Sequence, residues 1–217
     1  MVAWTYAAAM NSTADAVYVA SGDAEVQDVC ASLEIPVLET QGLHESGTDR
    51  VAEAAASLSH DVVINLQADE PTIPPSTIDR LIHTVGQPGV DMGSLMYPIS
   101  SAQVFQSPHR VKVVVTTEGR ALYFSRAPIP AQREEEQLPT AYLHIGVYAF
   151  RRERLLEFSA LERTPLEMTE SLEQLRALEN GWHIQMALTD WEPAPVDVIQ
   201  DLDRASRCLA ATHGLLA

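Results

Sequence analysis

Two carboxylates end an apolar run. Asp69 and Glu70 close Val62-Val63-Ile64-Asn65-Leu66-Gln67-Ala68 and are followed at once by Pro71. Paired acids of this kind hold a hard divalent cation and the phosphates it bridges. A second cluster, Ser46-Gly47-Thr48-Asp49-Arg50, sets a glycine, two hydroxyls and an arginine just ahead of a helical pattern. Backbone amides at a helix start bind anions, and a guanidinium there adds a planar donor. Each cluster has a plainer reading beside the functional one. Asp69 and Glu70 could form a turn or cap the helix that Ser76 to Val85 suggests, and Thr48 or Asp49 could cap the next helix with Arg50 exposed. Asp197, after Pro193 and Pro195, either caps the last helix or is the distant partner of Asp69, since phosphate-bridging cations are often held by one or two carboxylates. In His144-Ile145-Gly146-Val147-Tyr148, strand alternation puts His144, Gly146 and Tyr148 on one face, with room for a close approach at Gly146. A half-buried histidine and a core tyrosine explain the same pattern. Glu173 and Gln174 carry no functional signal of their own, and no Cys/His spacing resembles a zinc site.

These residues need elements to position them. Four to eight mainly β-branched residues without polar alternation read as a strand covered on both faces, and in open α/β sheets ligands sit beyond the carboxyl ends of strands. The chain opens with a helical pattern over Val2 to Asn11. Strands follow at Ala16–Ala20 and Pro36–Thr40, with helices at Ala24–Leu33 and Asp49–Leu58. Beyond the central strand, helical spacing covers Ser76–Val85, Arg151–Leu161, an unbroken Leu166–Glu179 with a Gly181 cap, and Val198–Ala211. Further strands are expected at Met92–Met96, Val111–Val115, Leu122–Ser125, His144–Phe150 and Ile184–Leu188. Arg133-Glu134-Glu135-Glu136-Gln137 reads as a solvated loop. Alternating helices and strands predict an α/β protein, with a mixed, mostly parallel sheet flanked by helices.

At 217 residues the chain is the length of one sizeable core, and a single domain over 1–217 is expected. The net charge of −16 argues against nucleic acid or an anionic membrane surface as partner. Any anionic substrate must therefore be met by local cations. Lys112 is the only lysine, so arginines, Arg50 and Arg126 foremost, carry that burden. No apolar run approaches the roughly 18 residues of a membrane span, and no basic segment of a secretory signal opens the chain. Cys30 and Cys208 lie far apart inside helical patterns, which suits a reduced, cytoplasmic protein.

Taken in order, the motifs resemble those of the 3-deoxy-manno-octulosonate (Kdo) cytidylyltransferases. The resemblance runs through Glu45-Ser46-Gly47-Thr48-Asp49-Arg50, Asn65-Leu66-Gln67-Ala68-Asp69-Glu70-Pro71, Val111-Lys112-Val113-Val114, Ala121 to Pro130, His144 to Tyr148 and Ser171 to Leu178. It implies a nucleotidyltransferase fold, often a homodimer, that uses magnesium to join CTP to an anionic sugar acid and supplies lipopolysaccharide biosynthesis. On that resemblance Asp69 and Asp197 are the catalytic, magnesium-holding pair. Ser46, Gly47, Arg50, Gln67 and Ala68 would lie along the nucleotide, and Arg126, His144, Tyr148, Glu173 and Gln174 would face the sugar acid. The chain departs from the family at Ala68, where glycine is usual, at Pro195-Val196 before the late aspartate, and at Leu143 before His144. The family's first strand and its Gly/Arg/Lys phosphate loop have no counterpart in the sequence, so an N-terminally incomplete domain is expected. Alternatives are CMP transfer to a phosphonate or another 2-keto sugar acid, or a nucleotide-binding remnant.

Overall fold

The computed structural model describes residues 1–131, 133, 138–196 and 198–212. Residues 134–137 of the expected charged loop, and Asp197, lie outside the described residues. The chain gathers into two units interleaved in sequence: Met1–Ser59 with Asn65–Arg80 and Trp191–Ala217, and His60–Ile64 with Leu81–Asp190.

In the first unit, α1 (Val2–Met10) precedes β1 (Val19–Ser21), α2 (Ala24–Ser32) and β2 (Val37–Glu39). β1 and β2 pair in parallel, Val19 opposite Val37 and Ser21 opposite Glu39. Parallel neighbours need a crossover, and α2 supplies it. The Asp23 carboxylate starts α2 by accepting from the amides of Glu25 (2.8 Å) and Val26 (3.1 Å). Next comes α3 (Gly47–Ala56), whose Ala52, Ala54 and Ala55 face inward. The buried apolar residues described here are aliphatic or cysteine: Ala9, Cys30, Ile35, the α3 alanines, Ile73, Ile78, Ala194, Val196 and Ala205. None of the described aromatic residues of this unit is buried. The chain's last described stretch is a 3-10 turn, Ile199–Asp201, leading into α9 (Leu202–Thr212), so the α-helix starts later than the Val198 expected from sequence.

The second unit is built on a six-stranded sheet. Its strands are β3 (Val62–Asn65, the last residue belonging to the first unit), β4 (Met92–Pro98), β5 (Lys112–Val115), β6 (Ala121–Ser125), β7 (Tyr142–Arg151) and β8 (Ile184–Leu188). The order is β6-β5-β7-β4-β8, and β3 also pairs with β7. The sheet is mixed, as expected, but not mostly parallel. β4 is parallel to β8, whereas β7 runs antiparallel to both β4 and β5, and β5 to β6. Buried apolar runs report that a strand is covered on both faces and carry no record of its direction. The short connection from β5 to β6 permits antiparallel pairing, which a parallel crossover could not match.

α4 (Pro75–Gly86) starts with proline, whose missing amide costs nothing in a first turn. α5 (Ala102–Gln106) was not expected; Ser101 starts it by accepting from the Val104 amide. α6 (Arg152–Ala160) fits the sequence reading. The expected helix over 166–179 is instead two, α7 (Pro165–Glu170) and α8 (Gln174–Glu179). Ser171 breaks it with φ 53° and ψ 51°, a left-handed conformation that periodicity does not reveal. The Gly181 cap is present. With φ 77°, its amide donates to Leu178 O (2.9 Å) and the Trp182 amide to Ala177 O (3.0 Å), closing α8 in a Schellman arrangement.

A line of rings fills this unit's core. Phe124 meets His144 edge-on at 4.8 Å, and centroids continue through Tyr148 (5.7 Å), Phe150 (6.2 Å), Phe158 (5.8 Å) and Trp182 (5.9 Å). Beside it the Arg176 guanidinium lies 4.6 Å from the Phe158 ring and grips the Glu167 carboxylate with two bonds, 2.6 and 2.9 Å, both residues buried. Burial pushes the Glu167 carboxyl up, but the Arg176 bonds outweigh it and the carboxyl stays below its ordinary range.

Candidate functional site

In the first unit, the residues expected along the nucleotide cluster where β3 ends and α3 begins. Ser46, extended at φ −142°, is the cap: its Oγ accepts from the Asp49 amide (3.2 Å) and donates to Asp49 Oδ2 (2.9 Å). The cap is therefore neither Thr48 nor Asp49, and the capping role is compatible with anion binding because Gly47 and Thr48 follow as the first helical amides. Thr48 turns inward instead. Its Oγ1 accepts from Asn65 Nδ2 (2.8 Å), and Asn65 Oδ1 accepts from Gln67 Nε2 (2.6 Å). Asn65 and Thr48 are both buried, so this chain of amides and hydroxyl ties the strand end to the helix start. A Cβ at Gly47 would stand 2.9 Å from both amide atoms of Gln67, so any side chain there would push that amide aside.

The loop after β3 is held from two sides. Thr5 Oγ1 on α1 donates to Ala68 O (3.1 Å), and the Val196 amide donates to Asp69 O (2.9 Å). The backbone immediately before Asp197 is thus bonded to Asp69. Ala68 is exposed, so its Cβ is accommodated where the family usually has glycine. Arg50 sits half-buried in the first turn of α3, with its amide bonded to Ser46 O (3.4 Å).

In the second unit, the residues expected to face the sugar acid form a different kind of structure. His144 and Tyr148 on β7 and Gln174 at the start of α8 are all buried. Tyr148 Oη donates to Gln174 Oε1 (3.1 Å), and Gln174 Nε2 lies 3.3 Å from His144 Nδ1. His144 Nε2 is 3.0 Å from Ser94 Oγ on β4. Burial holds the His144 pKa down to about 3, so the ring is neutral near pH 7. Burial, with the Glu173 carboxylate adding to it, pushes the Tyr148 hydroxyl well above its usual range, so it stays protonated and can donate. Gly146 falls in a bulge, where pairing jumps from Ser94–Tyr148 to Leu95–Ile145. It is exposed, with nothing within 4 Å of where a Cβ would be, unlike its buried neighbours on either side.

Arg126 serves α7. Its Nε donates to Glu170 O (2.7 Å) and Nη2 to Ser171 O (3.2 Å), which satisfies carbonyls at the helix end, and Nη1 donates to Pro108 O (3.4 Å) in the segment before β5. Among the described residues these bonds use three of its five N–H donors. Glu170 in turn accepts from Ser125 Oγ (2.5 Å), the Arg126 amide (3.0 Å) and Tyr123 Oη (3.4 Å). Lys112 is fully buried, with Nζ donating to the carbonyls of Ser107 (2.8 Å), Arg110 (2.5 Å) and Arg126 (2.5 Å). The sole lysine thus ties loops together.

Sequence reasoning missed Ser94, Asn65, Thr48 and Glu170 as parts of these networks. Ser94 and Asn65 did leave a signal: each is a polar residue inside an otherwise apolar strand, and a buried polar group must find a partner.

Comparison with known proteins bears on the whole chain. The sequence pattern of the family described as Cytidylyltransferase matches residues 1–188. The chain is 43% identical over 199 residues to the 3-deoxy-manno-octulosonate cytidylyltransferase of Geobacter metallireducens, covering 87% of this chain and 78% of that one. It is 41% identical over 214 residues to the enzyme of the same name from Chloroherpeton thalassium, covering 97% and 87%. The solved structure of CMP:2-keto-3-deoxy-manno-octonic acid synthetase complexed with CTP superposes with a TM-score of 0.90 at 36% identity, covering 98% of this chain and 88% of that one. With the family's pattern matched over residues 1–188 and relatives above 40% identical along most of its length, the chain belongs to the cytidylyltransferase family.

Proposed function

We propose that this chain transfers CMP from CTP to the anomeric hydroxyl of 3-deoxy-manno-octulosonate, releasing pyrophosphate, and so supplies an activated sugar for lipopolysaccharide biosynthesis. The observation that carries the reading is the bond from the Val196 amide to Asp69 O, which brings the late segment to the strand end beside the α3 start. Asp69 and Asp197 are proposed to hold magnesium. The donor set fits: hard carboxylate oxygens suit this ion, which takes one or two of them and fills its remaining positions with phosphate and water. When bound, the ion would offset charge on the transferring and leaving oxygens.

The chain's own residues do the positioning. The first amides of α3 and Arg50 would bind phosphate oxygens, and Ser46, Gly47, Gln67 and Ala68 would border the nucleotide. Arg126 would meet the acceptor carboxylate with its remaining donors, beside Glu173. His144 has both ring nitrogens engaged, so Tyr148 and Gln174 would present the hydroxyl oxygen and the second amide hydrogen to the acceptor. The acceptor's anomeric hydroxyl then attacks the α-phosphorus in line: the new C–O–P linkage forms as the bond to pyrophosphate breaks, and the hydroxyl proton passes to solvent. The family likeness supports a homodimer as the working form and the cytoplasm as its compartment. No helix among the described residues is long and apolar enough to cross a membrane.

Pyrophosphate release from CTP, magnesium and each candidate acceptor tests this proposal. Turnover with Kdo, lost on chelation and in Asp69→Asn and Asp197→Asn, is expected. Turnover with a phosphonate or another 2-keto sugar acid alone would overturn the acceptor, and CTP binding without any turnover would overturn the reaction.

A further inference from the structure

Ser94 is the best-buried hydroxyl of the second unit, fully enclosed on β4 in the run Met92-Gly93-Ser94-Leu95-Met96. Its Oγ lies 3.0 Å from His144 Nε2, and 3.1 and 3.0 Å from the carbonyls of Ile145 and Val147 across the β4–β7 bulge. A hydroxyl has one proton. Both carbonyls can only accept, so they share it, and the lone pairs of Oγ must then accept from His144. That places the imidazole proton on Nε2. Nδ1 is left as an acceptor, which requires the Nε2 side of the Gln174 amide to face it at 3.3 Å. The Gln174 carbonyl oxygen is thereby turned to Tyr148 Oη at 3.1 Å. Every step follows from the first: the two bulge carbonyls fix a proton, a tautomer and an amide orientation in sequence.

We infer that Ser94 is a positioning residue for the acceptor site, setting the His144 tautomer and through it the direction in which Gln174 and Tyr148 present their polar atoms. This inference rests on the proposed placement of Gln174 and Tyr148 beside the acceptor. The bulge is part of the device, because it brings two carbonyls of one strand to a single side chain of its neighbour. Phe124, edge-on to the imidazole at 4.8 Å, closes the ring's apolar side, and burial keeps it neutral.

Two measurements test the inference. Imidazole nitrogen NMR on histidine-labelled full chain, with His144 assigned from a His144→Asn spectrum, should show a single neutral tautomer protonated at Nε2. Steady-state kinetics of Ser94→Ala should show KM for the sugar acid raised roughly tenfold, with KM for CTP within about twofold, and Ser94→Thr should restore it. A wild-type ring protonated at Nδ1, or doubly protonated at pH 7, would overturn the inference. So would an unchanged acceptor KM in Ser94→Ala, or equal shifts in both KM values. Should Ser94→Ala fail to fold, the wild-type tautomer and the kinetics of Ser94→Thr decide. A wild type that folds but does not use the sugar acid refutes the proposed reaction, and the NMR result still judges Ser94.

Discussion

The two units organise polar groups by opposite means. Around the start of α3 the candidate site is made of backbone and short side chains: a serine cap, a glycine against the Gln67 amide, and amides bonded to carbonyls. Around β7 it is made of buried side chains wired to one another and packed on rings. The difference follows from the cores. Alanines, a cysteine and isoleucines line the first unit, while Phe124, Phe150, Phe158 and Trp182 fill the second. A thin core with helix-start amides suits a polyanion whose charge is met by N–H groups. A dense aromatic core can hold a polar relay in one arrangement, because each unmade bond there is expensive.

The contrast can be broken at its strongest point first. Arg176→Met removes the two short bonds to the buried Glu167 carboxylate and leaves it the exposed Arg163 at 3.6 Å and the Thr164 amide at 3.2 Å, and should cost about 3 kcal/mol and lower Tm by on the order of 10 °C. A loss below about 1 kcal/mol in denaturant titration would remove the claim that the second unit depends on buried polar side chains.

The next effect is a pH dependence. In the folded chain His144 titrates at about 3, below its ordinary 6.5. Between these values the unfolded state binds the extra proton, so stability is present above pH 6.5 and declines as pH falls toward 3. From pH 6.5 to 5 the wild type should lose ~2 kcal/mol that His144→Asn does not lose. This window lies above the acid range in which Glu167 and Glu170, both held below their ordinary values, give up their own contributions. Equal losses in both proteins would show that His144 is solvated.

Smaller effects belong to the first unit. Gly47→Ala would displace the Gln67 amide and should weaken CTP binding about tenfold by calorimetry, with stability changed by less than about 1 kcal/mol, since alanine suits a helix. A large stability loss with unchanged CTP affinity would reverse the assignment of Gly47. Ser46→Ala removes a cap and should cost about 1 kcal/mol in denaturant unfolding. No cost would mean that the Asp49 amide is satisfied by water.

Periodicity located most elements because burial of one helix face or both strand faces is written locally. The runs at Val111–Val115 and Ile184–Leu188 mark β5 and β8 within about a residue. It failed at Ser171, where leucine spacing continues through a left-handed residue that breaks the helix. Asp69, Ser46 and Gly47 were legible as site candidates because carboxylates after an apolar run and a glycine before a helix are local patterns. Arg126 was legible as a cation of interest, but its service to α7 depends on carbonyls of Glu170 and Ser171 far along the chain.

By itself, the sequence determined where strands and helices form, which carboxylates and helix starts could meet a nucleotide, and, through the order of its motifs, the resemblance to one family. Only the tertiary structure decided that β7 runs antiparallel to β4 and β5, that Asn65 bonds Thr48, and that Ser94 reaches His144 across fifty residues of chain. The reason is the range of the forces read. Hydrophobic period and capping depend on neighbours within a turn or two, whereas strand direction and buried hydrogen bonds are settled by which distant groups must be satisfied once water has been excluded.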